Sequence, residues 1–201
     1  MKKLIAPIAI VASVAFFSFS LVDPLPIGST LPKADAKLKD VSGKTITLGD
    51  AKQKNGLLVM FSCNTCPYVI KNQGRTNEIC SYALKNNIGV VVLNSNEAYR
   101  GEADSYDAMK EYAKEQSYKW SYALDENSEV ANALGANRKP ECFLFDKDLK
   151  LAYHGAIDNN PSDAGNVTRK HLQIAVDELA AGKDISVKES KSVGCGIKRK
   201  G

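Results

Sequence analysis

The chain has 201 residues, 44% of them hydrophobic and 25% charged, with a formal net charge of +4. That is enough for one α/β domain with a real core, and the balance excludes an intrinsically disordered chain. Much of the positive excess sits at the ends, in Lys2-Lys3 and Lys198-Arg199-Lys200. No basic stripe with interleaved aromatics is present, which argues against nucleic acid as a partner.

Residues 1–20 read as a signal peptide: Lys2 and Lys3 form a positive start, Leu4 to Phe19 is almost wholly apolar, and Ser18-Phe19-Ser20 suits cleavage. The apolar run to Val22 reaches the lower limit for a bilayer span, so Met1–Val22 can instead stay as an uncleaved anchor. Either outcome places the domain across a membrane, periplasmic or secreted, where disulfides persist.

Residues 21–35, with Pro24, Pro26, Gly28 and Pro32, read as an extended lead-in. A domain over 36–185 follows. Alternation in 36–40 and 44–48 around Gly43 predicts a β-hairpin. Ala51 to Lys54 is one candidate helical turn. Gly56 to Phe61 is continuously apolar, as in a strand buried on both faces, and so is Ile88 to Leu93. Between them lies a helix ending near Asn86-Asn87, and Asn94-Ser95-Asn96 closes the second strand at the carboxyl edge of the sheet. A helix is expected over 105–115 with Asp104 or Ser105 as cap, then a short edge strand 121–124 and a short helix 127–134 closed by Gly135. Arg138 to Phe145 is a loop with Pro140 leading into an apolar strand, 150–154 its return strand, and 167–181 an amphipathic helix. Residues 186–201 form a polar tail carrying Cys195. Strand and helix alternate around one mixed central sheet, so the fold class is α/β in three layers.

The first apolar strand runs directly into Cys63-Asn64-Thr65-Cys66-Pro67 and then a helix. A helix N-terminus offers free N–H groups and a positive dipole end, which favour thiolate over thiol. Cys63, taken as the sulfur nearest the helix start, is expected to be the nucleophile, with a pKa lowered from about 8.5 to roughly 3.5–7.5. Cys66 is expected to resolve a mixed disulfide on Cys63. Pro67 suits the first helical turn. A zinc site finds no second Cys or His pair at finger spacing, and a structural Cys63–Cys66 disulfide would close too short a loop to stabilise much. A redox pair is the better reading of this motif beside a βαβ pattern.

Phe61-Ser-Cys63-Asn-Thr-Cys66-Pro-Tyr-Val69, followed by Val91-Val-Leu-Asn94-Ser-Asn96, Pro140-Glu-Cys-Phe-Leu-Phe-Asp146, Tyr153-His-Gly155 and Gly194-Cys195-Gly, resembles the thioredoxin-fold redoxins of the AhpC/TSA (alkyl hydroperoxide reductase/thiol-specific antioxidant) type, in particular the exported CNxCPYV subgroup. The resemblance implies a thioredoxin-like sheet with helices on both faces. It also implies a cis-proline at Pro140 facing the CxxC, with the backbone of Lys139 free to pair with a substrate strand and Asn64, Thr65 and Pro67 bordering the groove. The chain departs from the family in three places. Ser62 stands where an aromatic residue is usual, Leu57 where a buried acid is usual, and the peroxidatic Pro-x-x-x-Thr/Ser-x-x-Cys pattern is missing. Glu141 is therefore a candidate for proton transfer.

Cys80 and Cys142 read as buried free thiols. Cys195, between two glycines, can be a third redox partner for Cys63 or Cys66, a pin to Cys80, or idle. His154 reads as an edge-strand histidine; its alternative is a copper site with Cys63 and Cys66. Three functions follow: a thiol–disulfide oxidoreductase, a thiol-dependent peroxidase, and a copper chaperone. The first needs no cofactor and takes protein or small-molecule thiols and disulfides as partners, with an electron-donor redox protein.

Overall fold

The computed structural model describes residues 23–200. The leader and anchor readings of residues 1–22 lie outside that range. No helix among the described residues is long and apolar enough to cross a membrane.

The two apolar runs form β3 (Gly56–Ser62) and β4 (Ile88–Asn94), paired in parallel and buried along their whole length. Around them stand β5 (Ser121–Leu124), β7 (Glu141–Phe145) and β8 (Leu151–Gly155), in the order β5-β4-β3-β7-β8. The β4–β5 pair is parallel; β3–β7 and β7–β8 are antiparallel.

Side chains of a strand alternate between faces, so β3 divides its apolar residues. Leu58 and Met60 face a core closed by α2 (Pro67–Lys85), α3 (Tyr106–Glu115) and α5 (His171–Ala180) through Ile79, Met109, Leu172 and Val176. Leu57, Val59 and Phe61 face a second core with Leu48 of α1 (Leu48–Ala51) and Val130 and Leu134 of α4 (Glu129–Leu134). Burial on both faces explains why these strands read as continuous apolar runs. It makes the fold the mixed α/β, three-layer architecture expected.

Local differences have local causes. The hairpin is two residues per strand, β1 (Leu38–Lys39) with β2 (Thr45–Ile46). The helical turn begins at Leu48 because Thr47 caps it, its hydroxyl accepting from Asp50 N at 3.0 Å. α3 starts one residue after its cap Ser105, and Gly135 closes α4 in the left-handed region at φ 67°. α5 begins at His171, because Asn159 Oδ1 accepts from Thr168 N and Arg169 N, both at 3.0 Å, and holds that segment extended. The stretch expected as a loop before Pro140 instead forms β6 (Arg138–Lys139), separated from β7 by a cis Lys139–Pro140 bond. The lead-in is bound to the body: Leu25 N donates to Leu134 O, Gly28 N to Leu151 O, and Leu31 is buried in the second core. The tail runs beside β8, where Ser190 Oγ accepts from Ala156 N, and ends in β9 (Cys195–Gly196) against β6.

Candidate active site

β3 delivers Cys63 to the carboxyl edge of the sheet, and α2 starts at Pro67. The helix cap is therefore Cys66, in extended conformation, with Pro67 at the first helical position. This corrects the expected position of the helix start. Proline needs no hydrogen bond at that position, so it sets the helix start after the second cysteine, and the dipole end lies at Cys66 rather than Cys63. Cys63 stands three residues upstream, 1% exposed. The backbone amides of Thr65 and Cys66 and the Lys139 ammonium all favour its thiolate. Burial pushes the Cys63 thiol above its ordinary value; Lys139 opposes that and Asp104 adds to it. The expected depressed pKa is not found, because desolvation outweighs the nearby cation and amides.

Of the alternatives open for Cys195, the structure has the pairing with Cys66: the two are disulfide-bonded, with Cα atoms 6.2 Å apart, and Cys63 is a free thiol. The tail reaches this position as a strand: β9 pairs antiparallel with β6, Cys195 opposite Lys139 and Gly196 opposite Arg138. The Cys66 sulfur lies 3.8 Å from the Lys139 carbonyl oxygen. The Lys139 backbone, expected to stand open, is thus already paired with the chain's own tail. Of the groove residues, Thr65 and Pro67 are exposed, Asn64 is half-buried and the Lys139 side chain is enclosed.

Beneath the sulfurs is a polar floor. Asp104, fully buried, accepts at Oδ1 from Asn64 N (2.9 Å) and Asn94 Nδ2 (2.8 Å), and at Oδ2 from Asn96 Nδ2 (2.7 Å). Tyr122 OH donates to Asn64 Oδ1 at 2.8 Å. Lys139 Nζ donates to Asn96 Oδ1, which also accepts from Lys198 N at 2.9 Å. Burial lowers the Lys139 pKa, while Cys63 and Asp104 counter it. Of Lys139 only the backbone was singled out from sequence; its side chain, Asn96 and Asp104 were not named as groups of the site. The signal was there in part: Asn94-Ser95-Asn96 ends a central strand at the carboxyl edge, where α/β sheets place their sites.

Glu141 is not aimed at the sulfurs. Its Oε2 accepts from Asn137 N and Arg138 N at 2.7 and 3.0 Å, and its Oε1 bonds His154 Nε2 at 2.9 Å. It fastens the turn before β6 rather than standing free as a base. His154 is buried on β8, its ring 4.4 Å from that of Phe143, and its partner is Glu141 rather than the cysteines. Among the described residues no three His, Cys, Asp or Glu side chains are grouped to hold a metal. Cys80 and Cys142 are buried free thiols, as expected.

A mixed sheet with helices on both faces, a CxxC at a helix start and a cis-proline opposite define a thioredoxin-like redoxin. Residues 26–168 match the Redoxin family, and the chain belongs to it. It is 28% identical over 134 residues to the thiol-disulfide oxidoreductase ResA of Bacillus cereus, covering 66% of this chain and 71% of that protein. Among solved structures it resembles an uncharacterized conserved protein from Geobacillus kaustophilus (34% identity, TM-score 0.80, 87% of this chain and 93% of the other). It also resembles a hypothetical protein from Sinorhizobium meliloti 1021 (30% identity, TM-score 0.80, 89% and 97%).

Proposed function

We propose that the protein is a thiol–disulfide oxidoreductase of an extracytoplasmic compartment, exported by its apolar leader. It exchanges disulfides with cysteinyl polypeptides or small thiols and is reset by an electron-donor redox protein. The observation that carries this reading is the meeting of three sulfurs at the start of α2: the free thiol of Cys63 and the Cys66–Cys195 disulfide, packed with Tyr68 and Val69. Exchange needs a disulfide sulfur within reach of a thiol and a second thiol to leave, and the site holds all three groups. Cys66, at the helix cap, carries the mixed disulfide; Cys63 resolves it. A peroxidase would need an accessible, ionised Cys63 sulfur. Burial holds that sulfur towards the thiol, and this favours exchange at Cys66.

The test is insulin-disulfide reduction driven by dithiothreitol. Cys66→Ser is expected to abolish turnover. Cys63→Ser combined with Cys195→Ser, which removes both thiols able to resolve at Cys66, is expected to stop after one exchange, with mixed disulfide accumulating on Cys66. Undiminished turnover in Cys66→Ser would end the reading.

A further inference from the structure

The C-terminal strand is held in its groove by more than its sulfur. Cys195 and Gly196 pair with Lys139 and Arg138. Beyond them, Ile197 N donates to Asn137 O at 3.1 Å, and its side chain is buried in the second core. Lys198 N donates to Asn96 Oδ1, and its carbonyl accepts from Ala98 N at 2.9 Å. The fit is close at Gly194, where an added Cβ would lie 2.0 Å from the Lys139 carbonyl oxygen. Upstream, Ser190 is fastened to β8 independently, its N donating to His154 O and its hydroxyl bonding Tyr153 at 2.7 Å. Between the two attachments Lys191 and Val193 are exposed. The distal strand can therefore leave while the tail stays tethered at Ser190.

We propose that residues 194–199 are a resident occupant of the partner groove, a built-in substrate strand that is displaced to admit an extended cysteine-bearing segment of another polypeptide. The proposal rests on the exchange reading above. In the displacing step Cys63 gives up its proton and its sulfur attacks Cys66 Sγ. The Cys63–Cys66 bond forms, the Cys66–Cys195 bond breaks, and Cys195 leaves as a thiolate that takes up a proton. The step is an isomerisation with no net oxidation. An incoming thiol on the partner strand then attacks Cys66 Sγ, forming the mixed disulfide and releasing Cys63 as a thiol. A second partner thiol releases the partner as a disulfide and leaves the protein's pair reduced by the same two electrons. The reverse sequence reduces a partner disulfide. The resident strand also defines the recognised segment: a cysteine preceded by glycine, for lack of room at the Lys139 carbonyl, and followed two residues later by an apolar side chain in the place of Ile197.

The probe is an eight-residue peptide copying Ser192 to Arg199, in reduced form, offered to the oxidised full chain. A tethered strand competes at an effective concentration on the order of millimolar, so a probe at about 100 µM is expected to be held off roughly tenfold while the tail is docked. Capture on Cys66 is read by quenching and mass spectrometry. In the wild-type chain alkylation should mark Cys63 and spare the Cys66–Cys195 pair. In Gly194→Val, and in Ile197→Ser as a milder second variant, it should mark Cys195 and spare Cys63–Cys66. Capture should then be about tenfold faster, and a probe with valine before its cysteine should lose that gain. Equal capture rates and the same disulfide isomer in all three proteins would overturn the resident strand and leave exchange standing. Failure of all three to exchange with dithiothreitol as well would overturn both.

Discussion

At the residue scale the site turns on a buried cation beside a buried thiol. Lys139 is 1% exposed and its ammonium lies against Cys63. Lysine is almost never fully buried without partners, and here Asn96 and the Cys63 sulfur supply them. Desolvation pushes the thiol up and the ammonium down, while their mutual attraction opposes both shifts. Lys139→Met removes the largest influence that favours the Cys63 thiolate. Its pKa should climb further, and iodoacetamide labelling of Cys63 in the reduced chain near pH 8 should slow by about tenfold per unit of added shift. Asp104→Asn acts on the same sulfur in the opposite direction, because Asp104 raises that pKa. It also weakens the acceptor for Asn64, Asn94 and Asn96, with an expected stability loss of about 1–3 kcal/mol. The pH–rate profiles of labelling separate the two variants. If Lys139→Met leaves the profile in place, the cation has no hold on the thiol. These side-chain roles were not legible in sequence, where the resemblance marked only the Lys139 backbone and Asp104 was a candidate helix cap.

At the element scale a three-residue offset decides which sulfur faces the helix. The strand–CxxC–helix order was legible from the apolar run, the motif and Pro67. The assignment of the helix field to Cys63 followed the order of the cysteines, whereas proline at the first helical position places the cap at Cys66. β9 was illegible for a different reason. Cys195, between Gly194 and Gly196, has little strand propensity around it, and its pairing is supplied by β6. The disulfide it carries spans 129 residues of sequence. Closing so long a loop restricts the unfolded chain, with a typical effect of about 2–4 kcal/mol. Cys195→Ser is therefore expected to lower unfolding stability by about that amount under oxidising conditions, since a Cys63–Cys66 link left in its place closes too short a loop to compensate. In excess dithiothreitol the variant and the wild type should converge. Urea midpoints with and without reductant check this, and a deficit that persists under reduction would assign the loss to strand packing instead of the cross-link.

At the scale of the whole molecule the sheet was the legible part. Continuous apolar runs marked β3 and β4, and alternation with amphipathic helices marked layers on both faces. Less legible were the ends, read as lead-in and tail, both of which are fastened to the body: Leu31 and Ile197 are buried in the same core. Polar composition conceals such segments, because their bonds run through backbone groups that sequence does not distinguish. The buried thiols give the assembled fold a distinct response to alkali. Cys80 and Cys142 are both 0% exposed, and burial raises both pKa values above 9.0. Tyr118 and Tyr122 are raised in the same way, from 10.0. In the unfolded chain these groups ionise at ordinary values, thiols near 8.5 and tyrosines near 10. Above about pH 9 the unfolded state has thus released protons that the folded state keeps, and stability falls as pH rises. Each thiol that is ionised when unfolded and protonated when folded contributes a slope of about 1.4 kcal/mol per pH unit. Urea midpoints should be level from pH 7 to 8 and decline steadily from about pH 9. Replacing Cys80 and Cys142 together by alanine lowers the whole curve through the cavities it leaves. It should also lessen the decline between about pH 9 and 10, leaving the part due to Cys63 and the tyrosines. A wild-type curve flat through that interval would mean that these thiols reach solvent.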